Sequence, residues 1–193
     1  MGLFNQFFGK KKIEKKGKDS RYLPEEKEPI HIEFAQNYIA RGGKFIYCEN
    51  SRFTRYYFES ILNENNWTED DIIAQNEVLA SFFSLNENVS HPKAMILRCE
   101  YLIANKGAIL ICNRQIQEQK LSDLPDNLII VASTNDFKAD VSEAMTAINQ
   151  KYKNRLPTNI TTLNAFDPTK ENDFLSYGGS SKHLYLLIQE VNE

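Results

Sequence analysis

Two glycine-bearing turns hold the residues best suited to bind a small anion. Each turn directly precedes an apolar run, one at residues 104–108 and the other at residues 177–182. Glycine lets the backbone approach a ligand, successive amide N–H groups in such a turn can bind an anion, and lysine adds charge for a carboxylate or phosphate. Ordinary turn chemistry is the alternative for both turns. The candidate ligand-binding residues are Asn105, Lys106, Gly107, Gly178, Gly179 and Lys182.

The histidines and cysteines form no catalytic or metal-binding motif. The three histidines are far apart in the sequence, and the three cysteines lie in or beside apolar runs with no CxxC pair. An iron–sulfur or zinc site needs about four closely arranged ligands, so we expect no metal site made by this chain. Three buried free thiols in a reducing compartment are expected instead. No P-loop, GxSxG or HExxH motif is present, and the catalytic residues stay unassigned.

The elements that would position these turns alternate between short apolar runs and amphipathic segments. The predicted strands are residues 45–48, 72–73, 94–97, 108–112, 128–132, 160–163 and 184–188. The predicted helices are residues 31–41, residues 51–65 with Ser51 as N-cap, a segment capped by Asn76, and one starting at Asp136 or a neighbour. Residues 100–105 are predicted as a turn or short helix. Apolar runs separated by helices favour an α/β fold with a mostly parallel sheet flanked by helices.

The first thirty residues differ from the rest in charge. Residues 1–30 carry eight basic and five acidic side chains, and we interpret them as a basic, flexible arm before one domain over residues 31–193. Phe4, Phe7 and Phe8 would share one helical face, which could contact an anionic membrane or a partner. The alternative is that these rings pack on the domain while the lysines stay solvated.

Composition excludes several classes of protein. The 193 residues have a formal net charge of −3, which does not indicate nucleic-acid binding. No apolar run approaches the roughly 18 residues of a transmembrane helix, and the start lacks the features of a signal peptide. A soluble, cytoplasmic protein is therefore expected.

Three segments together resemble the LUD-domain (lactate utilisation protein B/C) family, and most closely its lactate utilisation protein C branch. Residues 99–111, CEYLIANKGAILI, match the family pattern of approximately ADAAIAETGTLVL. Residues 121–131 match a segment that ends in LLPPVHIVVV, and residues 178–187 match GVHGPKRLHVVLL. Order and spacing agree over roughly residues 30–190. The resemblance implies a fold related to the NagB/RpiA/CoA-transferase-like proteins.

The resemblance also implies a role in the oxidation of lactate or a related hydroxy acid. In the family's three-part bacterial system, a protein of this kind works with separate iron–sulfur subunits. Without clustered cysteines, this chain would be the cluster-free component, binding a small carboxylate or supporting those subunits. In the first motif, however, Asn105 to Ala108 replace the family's Glu-Thr-Gly-Thr and keep only the glycine. His183 also does not fall on the family's histidine.

These departures leave two alternatives open. One is a non-catalytic binding or scaffold protein that kept the fold after losing polar site residues. The other is an enzyme acting on a phosphorylated, acyl or CoA-linked small molecule, which the glycine turns and neighbouring lysines would suit.

Overall fold

A five-stranded parallel sheet forms the centre of the fold. The computed structural model describes residues 28–86, 89–153, 155–165 and 182–191. The strands of this sheet, sheet A, are β1 (Phe45–Cys48), β2 (Ile72–Ala74), β3 (Ala94–Arg98), β6 (Asn127–Ser133) and β9 (His183–Gln189). Their spatial order is β1-β9-β6-β3-β2, and every neighbouring pair is parallel. The last of them along the chain, β9, thus lies between β1 and β6.

A second, four-stranded sheet mixes parallel and antiparallel pairs. Sheet B consists of β4 (Tyr101–Ile103), β5 (Ala108–Ile111), β7 (Phe137–Lys138) and β8 (Thr161–Asn164) in the order β7-β4-β5-β8. The β4–β5 and β5–β8 pairs are antiparallel, and β4–β7 is parallel. Five of the seven strand pairs in the described residues are parallel, so the predicted mostly parallel α/β fold is confirmed.

The helices cover the sheets on both sides. They are α1 (Ile30–Ala40), α2 (Ser51–Asn65), α3 (Glu77–Phe83), the single turn α4 (Asn113–Ile116) and α5 (Val141–Lys151). Phe58 of α2 and Leu79 of α3 pack with Ile96 and Ile129 on one face of sheet A. The other face packs against α1 and sheet B, whose far side is covered by α5. Because sheet A is covered on both faces, its strands are almost continuously apolar.

Three local predictions were wrong. The N-cap of α2 is Asn50 rather than Ser51, since the Asn50 side chain accepts the amides of Arg52 and Phe53 at 3.0 and 3.2 Å. Helix α5 is capped by Asp140 rather than by Asp136 or a neighbour, because β7 comes between them. Residues 101–103 form strand β4, not a turn or helix, since they pair with β5 and β7 and only Ala104–Lys106 is a 3₁₀ turn.

Candidate functional site

The first glycine turn packs directly on helix α1. Gly107 has φ +52°, and a Cβ added there would lie 2.3 Å from the backbone nitrogen of Tyr38. The side-chain Nδ2 of Asn37 donates to the carbonyl oxygen of Ala104 at 2.9 Å, which fixes the turn against the helix. Close packing of two backbones therefore explains why residue 107 is glycine.

The polar members of this turn point away from that contact. Asn105 and Lys106 are exposed, and the backbone N–H of Asn105 donates to the carbonyl oxygen of Ala139 at 3.0 Å. Asn105 therefore has its side chain, but not its amide, available to a ligand. The ligand-binding role of Asn105, Lys106 and Gly107 stays a prediction.

Lys182, from the second turn, is almost wholly buried, with 5% of its side chain exposed. Its ammonium donates to the carbonyl oxygen of Leu124 at 2.7 Å and lies 3.3 Å from Oδ1 of Asp126. These contacts anchor the segment before β6 to the start of β9. An ammonium has three N–H groups, so within the described residues one is left without a partner. Gly178 and Gly179 lie outside the described residues.

A cavity of about 430 Å³ opens beside Lys182, at the amino ends of β1 and β9. Among the described residues, its titratable lining consists of Lys44, Glu64, Lys182, His183 and Tyr185. Ile46, Ile61 and Leu186 supply apolar wall. The volume lies within the range of small-molecule sites, and convergent polar groups in an apolar cleft are typical of them. None of Asn105, Lys106 and Gly107 lines this cavity, so the described residues of the two turns do not share one cleft there.

A buried carboxylate lies at the opposite ends of the strands, where the chain leaves sheet A for sheet B. Glu100 follows β3 and is only 2% exposed. Its Oε1 accepts from the ammonium of Lys151 at 2.8 Å. Its Oε2 accepts from Nε2 of Gln115 at 3.0 Å and from the hydroxyl of Tyr152 at 3.2 Å. A buried charge is tolerable because it is paired and hydrogen-bonded in this way.

The hydrogen-bond network of Glu100 reaches the protein surface at Lys151, whose side chain is about half exposed (52%). Burial lowers the pKa of Lys151, but the hydrogen bonds to Glu100 and Tyr152 and the charge of Glu100 outweigh it, and the net pKa is raised. Lys151 is the last residue of α5, where a cation also complements the helix dipole. The raised pKa keeps Lys151 protonated at neutral pH.

The three cysteines are buried and free, as the sequence predicts. Burial raises the pKa of the Cys48 thiol to about 11, and it raises the pKa of Cys99 and of Cys112. A thiol with a raised pKa carries little thiolate at neutral pH and is a poor nucleophile or metal ligand. Throughout the part of the chain that the structure describes, no group of three or more His, Cys, Asp or Glu side chains is placed to hold a metal ion.

Two stacked sheets, a cavity lined by two lysines at one end and a buried ion pair at the other characterise this α/β domain. The chain belongs to the LUD domain family, whose family model matches residues 31–188. None of the described helices is long and apolar enough to cross a membrane.

A solved structure has the same fold. The chain is similar to a DUF162 family protein from Deinococcus radiodurans, solved by crystallography at 1.70 Å resolution, with a TM-score of 0.56. The two sequences are 16% identical, and the match covers 83% of this chain and 96% of that one. At this identity the similarity shows the fold alone. No curated protein matches the chain.

Sequence reasoning missed the Glu100 network, although a signal was present. Glu100 is an acidic residue between two apolar runs, and in the first family motif it occupies the position of the aspartate. Its partners Gln115, Lys151 and Tyr152 come from later segments, with Lys151 and Tyr152 more than fifty positions away. Spacing alone therefore could not bring them together.

Proposed function

We propose that this protein is the cluster-free component of a cytoplasmic system that oxidises lactate or a related hydroxy acid. The observation that carries the proposal is the LUD domain over residues 31–188. In this role the protein binds a small carboxylate or supports separate iron–sulfur subunits, which would hold the redox centres.

The Lys182 cavity is the place where a small hydroxy acid would bind. A carboxylate placed between Lys44 and the remaining N–H of Lys182 would gain charge-assisted hydrogen bonds. Glu64, on the same cavity wall, can accept the hydrogen of the ligand's hydroxyl group. The two lysines favour a ligand with a negative charge, and Glu64 favours a ligand with a hydrogen-bond donor next to that charge.

Binding is tested by calorimetry with L-lactate, propionate and lactamide on the purified full chain. Lactate should bind more tightly than propionate, which lacks the hydroxyl group, and uncharged lactamide should not bind. Lys44→Gln should weaken lactate binding by about tenfold, since one charge-assisted contact is lost. Lys153→Gln, at an exposed lysine elsewhere, serves as the matched control. Equal affinity for lactate and lactamide would contradict binding through the carboxylate.

The cellular role is tested by deletion in the cells that produce the protein. Growth on lactate should be impaired and growth on glucose unchanged, and affinity capture of the native protein should recover iron–sulfur subunits. Normal growth on lactate together with no such subunits would reject the proposal.

The packing of Gly107 favours a second candidate, a binding or scaffold protein that performs no catalysis. The one family residue retained in this turn has a structural explanation in its contact with α1, whereas Asn105 and Ala108 replace polar residues. Lactate-dependent dye reduction by the reconstituted assembly separates the two candidates. A scaffold predicts that Lys44→Gln leaves turnover unchanged while the assembly stays intact, whereas lactate binding in the Lys182 cavity predicts reduced turnover at low lactate concentration.

A further inference from the structure

We propose that Arg114 and Arg155 form a second site, separate from the Lys182 cavity, that binds a small anion through a carboxylate or phosphate group. A pocket of about 280 Å³ lies between α4 and the segment that follows α5. It is lined by Asn113, Arg114, Gln117, Glu118, Arg155 and Leu156. The proposal does not depend on the function proposed for the Lys182 cavity.

The guanidinium of Arg114 is held against the backbone of Arg155, and both residues line the pocket. Nη2 of Arg114 donates to the backbone carbonyl oxygen of Arg155 at 3.2 Å. Within the described residues, neither guanidinium lies within 4.0 Å of a carboxylate oxygen. Two like charges beside one pocket repel each other, and a bound anion removes that repulsion. Arginine is also the side chain whose planar fork matches a carboxylate or phosphate.

A cation–π contact and several hydrogen bonds fix the shape of this pocket without a ligand. The guanidinium of Arg114 lies over the ring of Tyr152, with 5.1 Å from Cζ to the ring centroid. Asn113 bonds twice to Thr158, through its amide N–H at 2.9 Å and its side-chain oxygen at 3.0 Å. Gln75 donates to the carbonyl oxygen of Arg114 at 3.0 Å. The Arg114 guanidinium is therefore preorganised, and a preorganised donor loses less entropy when it binds a ligand.

Gln117 adds an independent observation. Its backbone has φ 55° and ψ −132°, a region that side-chain-bearing residues rarely adopt. Such strain persists only where the surrounding structure imposes it, and it concentrates at binding and catalytic sites. Here the strained residue lies in the wall of the pocket, between α4 and Glu118.

The rest of the lining limits the ligand. The pocket volume of about 280 Å³ is just below the range of roughly 300 to 1,000 Å³ that is typical of ligand sites, so only a small molecule fits. Leu156 is 55% exposed and offers an apolar contact at the rim. The carboxylate of Glu118 would repel a second anionic group, but it can accept a hydroxyl or amine hydrogen. The ligand class is a small organic anion with one charged end and a donor.

The test uses the full-length protein with inorganic phosphate and glycolate as probes, each titrated at constant ionic strength against sodium chloride. We expect saturable binding of at least one probe, weakened by about tenfold or more in both Arg114→Gln and Arg155→Gln. Arg52→Gln, at an exposed arginine on α2, should bind as the wild type does. The probe that binds tells whether a phosphate or a carboxylate is preferred.

Two results would overturn this second site. One is that neither probe binds saturably beyond the sodium chloride control. The other is that Arg114→Gln and Arg155→Gln bind as tightly as the wild type while circular dichroism shows both folded. Lys44→Gln distinguishes the two proposals, because it should weaken lactate binding at the Lys182 cavity by about tenfold and leave the arginine site intact.

Discussion

The ammonium of Lys151 and the buried carboxylate of Glu100 lie 2.8 Å apart, joining the end of α5 to the crossing between the two sheets. One partner is almost inaccessible to water and the other is half exposed. This asymmetry decides what loss of either partner should cost, because only the carboxylate would remain buried when its partner is removed.

Lys151→Met should lower the free energy of unfolding by about 2 kcal/mol. This loss is smaller than the loss expected for a wholly buried ion pair, because Lys151 is about half exposed to solvent. Glu100→Gln should cost less, since an amide oxygen still accepts from Gln115 and Tyr152. Urea denaturation of both single variants and the double variant measures the coupling. Lys138→Met is the control, because its partner Glu143 is 3.7 Å away and about half exposed. Strict additivity of the two single changes would contradict this account of the pair.

Gly107→Ala should destabilise the protein far more than a change in backbone preference explains. Alanine at this φ costs on the order of 1 kcal/mol, and the contact with Tyr38 adds to it because backbone cannot move aside easily. Asn66→Ala is a close match, since Asn66 is exposed and has φ 54° and ψ 43°, against 52° and 46° for Gly107. Equal loss of thermal stability in the two variants would show that packing on α1 is unimportant.

Asp136→Asn should remove a pH dependence of stability. Burial raises the pKa of Asp136, although the hydrogen bonds from Ser133 oppose the shift. Above the ordinary aspartate pKa of 3.8, the native state then holds its proton more tightly than the unfolded state does. This contribution therefore stabilises most at low pH and declines as the pH rises through the native pKa.

The measurement is the urea midpoint of both proteins as a function of pH. The stability of Asp136→Asn relative to the wild type should increase upward from about pH 4, because asparagine has no charge to desolvate. An oxygen of asparagine can still accept the backbone N–H of Ser133, which bonds to Asp136 at 2.7 Å. A difference that does not change with pH would show that Asp136 titrates alike in both states.

Tyr38→Phe should preserve or increase stability. Within the described residues, the buried hydroxyl of Tyr38 has no hydrogen-bond partner, while its ring stacks on Phe34 with 5.3 Å between centroids. Removing an unsatisfied buried hydroxyl relieves a desolvation cost of about 1–3 kcal/mol, while the ring stays in place. Tyr185→Phe is the opposite case, since its hydroxyl donates to Asn65 at 2.9 Å and its loss should destabilise. Calorimetric melting of both variants checks the sign of each effect.

Much of the fold could be predicted, because local patterns of apolar residues indicate most of its strands and helices. Residues 128–132 are apolar without interruption, as a strand covered on both faces must be, and the structure places them inside β6. Strand β4 was not predicted from the sequence, because it is only three residues long and is separated from β5 by a single 3₁₀ turn. A strand this short has too few residues to display a period.

The candidate sites were less predictable, because each is assembled from distant segments. Lys182 could be predicted as a candidate because it follows a glycine turn. Lys44 and Glu64, which line the same cavity, come from the first third of the chain. Arg114 and Arg155 are 41 positions apart, and no sequence pattern joins them. The LUD resemblance identified contiguous motifs, such as residues 99–111. It gave no information on contacts between residues that are distant in the sequence.

The position of β9 between β1 and β6 has a consequence for how the protein is made. Phe45 pairs with Leu186, so β1 must wait for a partner synthesised roughly 140 residues later, and such distant contacts form slowly. Until then, β1 and the facing side of β6 expose unpaired backbone and apolar side chains on the ribosome. We therefore expect a chain truncated before residue 183 to leave an incomplete sheet A, whose unpaired strand edges would promote aggregation.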